Sequence, residues 1–382
     1  MIAVRPRAAA ALTTSPGALA TDTLGAHTSR QLLRLCEVAG LGAADAAGYA
    51  QTLTTALGPV AERPLGLPAG NSFLSDDHTP VEFSLSCEAG AAPTLRVLLE
   101  PGSGVGDLAQ SGRAGLSVVR ELARRLDFST DRLDELEDLF FPPSPQGPLA
   151  LWCALELRPG GVPRVKVYLN PAASGAARAT ETVREALRRL GHRQAFTALP
   201  AADHIPFFAL DLGDWDVPRV KVYTAHPDVS AAAAGDLSRM RGGPDRAEIE
   251  AFFRAASGLE EGQDTLLDRR PALACHAFTE SAAGLPTGFT LHVPVRDYAR
   301  HDGDALDRAL VLLRRYGIGS AQLLDSLAAV TSRRLEDGAG LIAYLALAHQ
   351  QGRPPRVTVY ISSEAYQVRP PAVLALSASA AR

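Results

Sequence analysis

The chain has 382 residues, of which 46% are hydrophobic, so it is long and apolar enough to bury a large core in one or two domains. Its formal net charge of −4 argues against a general nucleic-acid binder, because such proteins are usually strongly basic. Four widely spaced cysteines and the lack of any run of about 18 apolar residues argue against a zinc site and a membrane span, and they favour a cytoplasmic protein.

The two ends of the chain differ in composition from its middle. Residues 1–27 contain a short alanine run that is too weakly apolar for a signal peptide, and we predict a flexible N-terminal tail. Residues 28–366 are assigned to a single domain that opens with a helical region. Residues 367–382, which include "VLALSASA", are predicted to be a flexible C-terminal tail.

Five pairs of strand-like runs follow one another along the domain. Most show the period-two alternation of a half-buried strand, and each pair is joined by a turn or a short loop. The pairs are, in chain order, "PVEFSLSC" with "TLRVLLEP", "LALWCALEL" with "VPRVKVYLN", "HIPFFALDL" with "VPRVKVYTA", "ALACHAFTE" with "TGFTLHVPV", and "GLIAYLALAH" with "PPRVTVYIS". They predict five β-hairpins.

Helical patterns occupy the segments between the hairpins. Val183, Leu187 and Leu190 have the spacing of one helix face, and Gly191 is placed to end that helix. The same spacing recurs between residues 306 and 313. The predicted unit is therefore helix, helix, strand, strand, repeated five times.

Helices after every hairpin must cover one face of the sheet, and this leaves the polar face without a cover. Closing the sheet removes its two edges and turns the polar face into a lumen. The predicted fold class is α+β: a ten-stranded antiparallel β-barrel of five ααββ repeats surrounded by a ring of α-helices.

The strand "RVKVY" occurs twice, and "RVTVY" is a third version of it. A single copy is typical of a strand with a solvated polar face, but three copies in equivalent positions indicate a shared ligand. Their polar residues are Arg164, Lys166 and Tyr168; Arg219, Lys221 and Tyr223; and Arg356, Thr358 and Tyr360. Converging cations favour an anion such as a diphosphate, and the neighbouring tyrosine rings can stabilise a cation. The two together suit the ionisation of an allylic diphosphate.

Two other motifs predict little. The glycine-rich "EPGSGVGDLAQ" has Asp107 where a dinucleotide-binding loop requires its third glycine, and the strand that follows is antiparallel. Asp76 and Asp77 lack metal-ligand spacing and are typical of a turn. The sequence therefore predicts no metal site and no cofactor.

The stretches "SFLSDDHTPVEFSLS", "RVKVYLNP", "RVKVYTAHP" and "RVTVYISSEAY" resemble the indole prenyltransferases of the dimethylallyltryptophan synthase family, particularly its shorter bacterial members. The resemblance covers residues 28–366 and implies the barrel of five ααββ units. It also implies transfer of a dimethylallyl group from its diphosphate to L-tryptophan without Mg²⁺. Carbon C6 of the indole is the expected position, with N1 as the second choice.

The resemblance also implies roles for individual residues. Glu82 is expected to accept the indole N–H and to stabilise the cationic intermediate, although an edge-strand surface carboxylate is the alternative. The backbone near Leu74 is expected to contact the substrate ammonium. The expected diphosphate ligands are Arg96, Lys166, Arg219 and Lys221, and the expected carbocation shield is formed by Tyr168, Tyr223, Thr290, His292 and Tyr360.

Two of these positions depart from the family pattern. His292 stands where many relatives have a shielding tyrosine, and it could equally be an ordinary hydrogen-bonded histidine. Cys153 is predicted from strand parity to face the lumen near the acceptor, with a buried apolar position as the alternative. The proton acceptor at the end of the reaction is left open between Glu82, His292, diphosphate and water.

The expected partners are dimethylallyl diphosphate and L-tryptophan or a related indole, with no nucleic acid, no membrane, and a monomer or homodimer as the assembly. One alternative keeps the fold and changes the acceptor to a cyclic dipeptide, an indole alkaloid, tyrosine or a phenol. Another is a non-catalytic barrel that binds an isoprenoid or an anion. Glu82 argues against that binder, because a carboxylate facing an anionic ligand would weaken its binding.

Overall fold

The computed structural model describes residues 22–202, 204–260, 266–279 and 284–372. Its strands are β1 (Val81–Cys87), β2 (Thr94–Leu99), β3 (Leu151–Glu156), β4 (Arg164–Leu169), β5 (His204–Asp211), β6 (Val220–His226), β7 (Ala272–Phe278), β8 (Gly288–Val293), β9 (Ile342–Gln350) and β10 (Arg356–Ser362). Its α-helices are α1 (Leu24–Val38), α2 (Ala43–Leu57), α3 (Leu108–Leu126), α4 (Asp131–Asp134), α5 (Glu137–Phe140), α6 (Ala179–Arg189), α7 (Ala231–Gly235), α8 (Arg246–Ser257), α9 (Asp302–Arg315) and α10 (Ala321–Val330).

The ten strands form a closed barrel in which every neighbouring pair is antiparallel. The barrel closes where β1 pairs with β10, with Glu82 opposite Ser362 and Ser84 opposite Tyr360. Each strand otherwise pairs with its neighbours in the sequence, as expected for consecutive hairpins. The predicted closed ten-stranded barrel is confirmed.

The alternation within each strand separates the two faces of the barrel wall. Val165 and Val167 of β4 are buried in the main apolar core between the barrel and the helices. Lys166 and Tyr168, which alternate with them, line the cavity inside the barrel. A closed barrel of this size encloses a lumen, so its polar residues face a cavity instead of bulk water.

Local sequence signals explain where the helices begin and end. The Asp107 side chain accepts a hydrogen bond from the Gln110 backbone N–H, and Oε1 of Gln110 accepts one from the Asp107 backbone N–H, which together form a capping box at the start of α3. The glycine-rich loop before Asp107 therefore leads into the capped helix α3, and the strands on either side, β2 and β3, are antiparallel. Helix α6 ends before Gly191, whose φ of +86° is readily adopted by glycine, as predicted.

The helical layer is less regular than the predicted pairs of helices. Between β4 and β5 the described residues contain the single α-helix α6, followed by a short 3₁₀ turn at Ala195–Ala198. Gly191 and Pro200 bound this segment and leave little room for a second α-helix. In the next unit, helix α7 is only five residues long.

The predicted domain boundaries require a small correction at both ends, because Arg369, which lies after the predicted domain end at residue 366, forms a β-bridge with Ala339. Helix α1 begins at Leu24, so the structured part starts before residue 28. The tail predictions for residues 1–21 and 373–382 lie outside the described residues. None of the described helices combines the length and the apolar character needed to cross a membrane.

Candidate active site

A cavity with a volume of about 510 Å³ lies inside the barrel. Seven cationic side chains and two carboxylates line it. The cations are Arg96, Arg164, Lys166, Arg219, Lys221, Arg353 and Arg356, and the carboxylates are Glu156 and Asp211. The positive excess in an enclosed space favours an anionic ligand of high charge.

The two carboxylates pair with some of the cations. Nζ of Lys166 lies 3.0 Å from Oδ1 of Asp211, and Nη1 of Arg219 lies 3.4 Å from Oδ2. Glu156 pairs with Arg96, whose Nη2 is 2.8 Å from Oε2. These ion pairs hold the cations in place within the lumen.

Lys221 and Arg356 have no carboxylate within ion-pair distance among the residues that the structure describes. Burial, together with the positive charge of Lys166, lowers the pKa of Lys221 to about 7. Burial and the neighbouring arginines also lower the pKa of Arg356. An anion bound here would favour the charged forms of both groups.

Seven rings form a continuous aromatic belt across the lumen. Neighbouring ring centroids are 5.1 to 6.4 Å apart, which is the spacing of packed aromatic side chains. In order of contact the belt consists of Trp152, Phe207, Tyr168, Tyr223, His292, Tyr360 and Tyr344. The faces of such rings attract a cation placed between them.

His292 completes the belt between Tyr223 and Tyr360. Its Nδ1 is 3.4 Å from the carbonyl oxygen of Leu273, which can only accept, so Nδ1 carries the proton. Nε2 then accepts a hydrogen bond from the Tyr360 hydroxyl at 3.2 Å. Burial and the nearby Lys221 lower the pKa of His292 to about 3, so the imidazole is neutral and presents a ring without positive charge.

Glu82 lies near the start of β1 and is buried, with 5% of its surface exposed. Burial raises the pKa of its carboxyl to about 7, while the positive charge of Arg296 opposes the shift. In β4, β6 and β10 the cationic residues come before the tyrosine along the strand. In β10, Ser362 lies two residues after Tyr360, and Ser362 is the residue that pairs with Glu82. Along the barrel axis the order is therefore cations, aromatic belt, carboxylate.

Leu74 is buried beside the carboxylate end of the lumen. It packs in a small cluster with Leu149 and Trp152, and Tyr168 and Phe207 contact the same cluster. The Leu74 backbone N–H donates to Oγ of Ser72 at 3.2 Å. The Ser72 hydroxyl in turn donates to the carboxylate of Glu100, the residue directly after β2. These two hydrogen bonds hold the backbone around Leu74 next to the end of β2.

Cys153 does not face the lumen, and this part of the sequence prediction was wrong. It is paired with Val167 across the β3–β4 hairpin and buried in the core between barrel and helices. Trp152 and Ala154 face the lumen instead. The run "LWCAL" is apolar on both faces, so hydrophobicity alone could not show which of its residues face the lumen. The pairing of Cys153 with Val167, one of the core-facing valines of β4, does show it.

The other predicted positions line the lumen. Arg96, Lys166, Arg219 and Lys221 lie around the cavity with Tyr168, Tyr223, Thr290, His292 and Tyr360. The sequence analysis missed Trp152, Phe207, Tyr344, Cys275 and Arg296. Trp152, Phe207 and Tyr344 could have been predicted. Each is an aromatic residue on a strand, and its pairing with the other strand of the hairpin determines which face of the barrel wall it lies on.

A closed barrel with cations, aromatic rings and a buried carboxylate along one lumen defines an aromatic prenyltransferase barrel. The comparisons with known proteins identify the family. A family model described as tryptophan dimethylallyltransferase matches residues 46–323, which is more than half of the chain. This chain belongs to the tryptophan dimethylallyltransferase family.

Solved structures support the same assignment. Prenyltransferase PriB in its apo form is 64% identical, with a TM-score of 0.90 over 92% of this chain and 99% of that chain. The 5-dimethylallyl tryptophan synthase from Streptomyces coelicolor, in complex with DMASPP and Trp, is 60% identical, with a TM-score of 0.88 over 94% of this chain and 99% of that chain. The 6-dimethylallyltryptophan synthase from Micromonospora olivasterospora, also in complex with DMASPP and Trp, is 40% identical, with a TM-score of 0.85 over 91% of this chain and 99% of that chain.

Proposed function

We propose that this protein transfers a dimethylallyl group from dimethylallyl diphosphate to the indole ring of L-tryptophan by metal-independent electrophilic aromatic substitution. The observation that carries the proposal is the order of groups in the lumen: cations, then an aromatic belt, then the buried Glu82. The cations match the anionic leaving group, the aromatic belt matches the allyl cation, and Glu82 matches the cationic intermediate formed by the acceptor. Relatives with the same barrel are named for this transfer to tryptophan.

The cations act on the leaving group. Arg96, Lys166, Arg219 and Lys221 bind the diphosphate, with further positive charge from Arg164 and Arg356. As the allylic C–O bond breaks, negative charge grows on the departing oxygen, and fixed cations stabilise it without rearrangement of solvent. The anion also favours the charged form of Lys221, whose pKa is lowered by burial to about 7.

The aromatic belt acts on the allyl cation. Tyr168, Tyr223, His292 and Tyr360 surround it with ring faces, while Thr290 lines the same part of the wall. Water is kept from the cation by the closed barrel wall, which favours attack by the indole. The neutral imidazole of His292 is suited to this position because an imidazolium would repel the cation.

Glu82 acts on the acceptor. It accepts the indole N–H, and its negative charge stabilises the arenium cation that forms when the new C–C bond is made. Loss of the ring proton then restores aromaticity. Cys153 is excluded as the base because it lies outside the lumen, and His292 is weakly basic, which leaves Glu82, diphosphate or water.

We further propose that the new bond forms at a benzene-ring carbon. C6 stays the predicted position, and the solved relatives include enzymes named for C5 and for C6. Incubation with dimethylallyl diphosphate and a panel of indoles, cyclic dipeptides, tyrosine and phenols, followed by NMR of the products, tests the acceptor and the position together. A product at N1 or on the pyrrole ring would contradict this assignment, and the absence of any prenylated product would favour a non-catalytic binder.

We expect turnover to survive an excess of EDTA. The lumen supplies seven cationic side chains to neutralise the diphosphate, which is the role that Mg²⁺ has in metal-dependent prenyl transfer. The measurement is the rate of tryptophan prenylation with and without chelator. Loss of more than about 90% of the rate, restored by Mg²⁺, would contradict the metal-independent mechanism.

A further inference from the structure

Two carboxylates lie among the cations of the lumen, at the end where an anionic ligand is expected. Asp211 is the last residue of β5, and Glu156 is the last residue of β3. Both line the cavity inside the barrel. A carboxylate beside a diphosphate weakens binding, because two negative charges repel each other. The two side chains therefore do not serve to hold the diphosphate.

Asp211 lies between Lys166 and Arg219 and forms ion pairs with both. It is opposite Lys166 in the pairing of β4 with β5, and its backbone N–H donates to the carbonyl oxygen of Arg219 at 3.1 Å. Its Oδ1 is 3.0 Å from Nζ of Lys166, and its Oδ2 is 3.4 Å from Nη1 of Arg219. Although burial opposes ionisation, the charges of Lys166, Arg219 and Lys221 lower the pKa of Asp211. The side chain is therefore ionised at neutral pH.

Glu156 occupies the equivalent place two strands away. It is opposite Arg96 on β2 and Arg164 on β4. Its Oε2 accepts hydrogen bonds from Nε and Nη2 of Arg96 at 3.0 and 2.8 Å. Its Oε1 is 3.7 Å from Nη1 of Arg164. Positive and negative side chains therefore alternate around the barrel wall from β2 to β6.

The cations of the lumen fall into two groups. Three of the expected diphosphate ligands are paired with a carboxylate, whereas Lys221 and Arg356 have none within ion-pair distance in the described part of the chain. A diphosphate gains the full attraction of the second group. It must compete with Asp211 and Glu156 for the first group, and both carboxylates repel it at short range. The net attraction is therefore well below that of the same cations without carboxylates.

We propose that Asp211, with Glu156 as a second such residue, limits the affinity for diphosphate and so promotes its release after the prenyl group has been transferred. The cations that stabilise the leaving oxygen would otherwise retain the product. An ionised carboxylate re-forms its ion pairs with Lys166 and Arg219 as the diphosphate departs. The inference rests on the proposed function, because it concerns the product of the same reaction.

The test measures binding of inorganic diphosphate to Asp211→Asn. The amide keeps the size of the side chain and can still accept hydrogen bonds from Lys166 and Arg219, but it has no negative charge. We expect the dissociation constant to fall about tenfold or more, mostly through a slower dissociation rate, because one repulsive charge at short range is removed. Calorimetry gives the constant. Stopped-flow fluorescence of Trp215, which lines the same cavity, gives the rate.

A carboxylate that only positions the cations predicts the opposite sign. Without its charge the two cations would be less well ordered, and Asp211→Asn would bind diphosphate more weakly. Unchanged or weaker binding would overturn the proposal. Glu156→Gln should show the same tightening, and it decides the question should the first variant not fold. Asp236→Asn is the matched control and should leave binding unchanged, since it removes an exposed carboxylate whose partner, Arg246, does not line the cavity.

Turnover separates this inference from the proposed function. Added diphosphate should inhibit Asp211→Asn at concentrations about tenfold lower than those needed for the unmodified enzyme, in competition with dimethylallyl diphosphate. If the unmodified protein neither binds diphosphate nor prenylates tryptophan, the proposed function fails. If it does both, and Asp211→Asn is no more sensitive to diphosphate, only the role of Asp211 in product release fails.

Discussion

Glu82→Gln is expected to lower kcat about 10²–10³-fold, as is typical when one preorganised electrostatic partner is removed. The amide keeps the size of the side chain and can still accept the indole N–H, but it has no negative charge. The charge matters only after positive charge has formed on the acceptor, so the loss should appear in kcat and change tryptophan affinity less than about tenfold. Steady-state kinetics with both substrates measure this split. A kcat within about threefold of the unmodified enzyme would remove Glu82 from the catalytic machinery.

The pH profile provides the control for this variant. Burial raises the pKa of Glu82 to about 7, so the carboxylate is lost as the pH falls through neutrality. The kcat of the unmodified enzyme should therefore fall on the acidic side, and Glu82→Gln should lack that limb. Burial also raises the pKa of Glu100 to about 7, so Glu100→Gln is the matched variant. An acidic limb that disappears with Glu100→Gln and stays with Glu82→Gln would reassign it.

Lys166→Ala and Lys221→Ala are each expected to weaken binding of dimethylallyl diphosphate about tenfold to a hundredfold. Each change removes one charge-assisted contact, worth about 1.5–3 kcal/mol. Tryptophan affinity should change little, because both lysines lie at the cationic end of the lumen. Equilibrium binding of the diphosphate and of tryptophan, measured separately, gives the two effects.

Binding that involves Lys221 should also depend on pH. The pKa of Lys221 is lowered to about 7 by burial and by Lys166, so the side chain is charged below neutrality. Above neutrality it must take up a proton from solvent when the diphosphate binds. The affinity ratio between the unmodified protein and Lys221→Ala should therefore shrink as the pH rises above 7. Arg125→Ala, which removes an exposed charge at the end of α3, is the control and should leave diphosphate binding unchanged. Normal binding by a folded lysine variant would contradict its place in the site.

The closed barrel could be predicted because its signals are repeated. The valine row of "RVKVY" assigns one face to the core, and three copies in equivalent places fix the parity of β4, β6 and β10 without reference to anything distant. The strand β3 lacks such a signal, since tryptophan, cysteine and alanine are all compatible with a buried face. Cys153 was misassigned for that reason, and pairing across the hairpin was the information that the single strand could not supply.

Arg296 could not be predicted from local pattern. It lies in a turn beyond the last strand residue, where alternation no longer applies, and it contacts Asp76 and Tyr344, which are far away in the sequence. The same is true of the ion pair between Arg96 and Glu156, which joins residues on β2 and the end of β3. Such contacts depend on the barrel's closure and register, and they became visible only with the fold.

The alternation along most of the barrel wall has a consequence for how the enzyme can diverge. Val165 and Val167 belong to the apolar core outside the barrel, whereas Lys166 and Tyr168 face the cavity inside it. A substitution on the inner face changes what the cavity accepts and leaves the helix-facing packing in place, so stability and substrate range reside in different residues of one strand. Point changes at alternate positions are therefore expected to alter the acceptor range of this protein without disturbing the outer core. Mutant libraries confined to the inward-facing residues of β3, β5 and β9 should accordingly be rich in folded proteins with altered acceptor range.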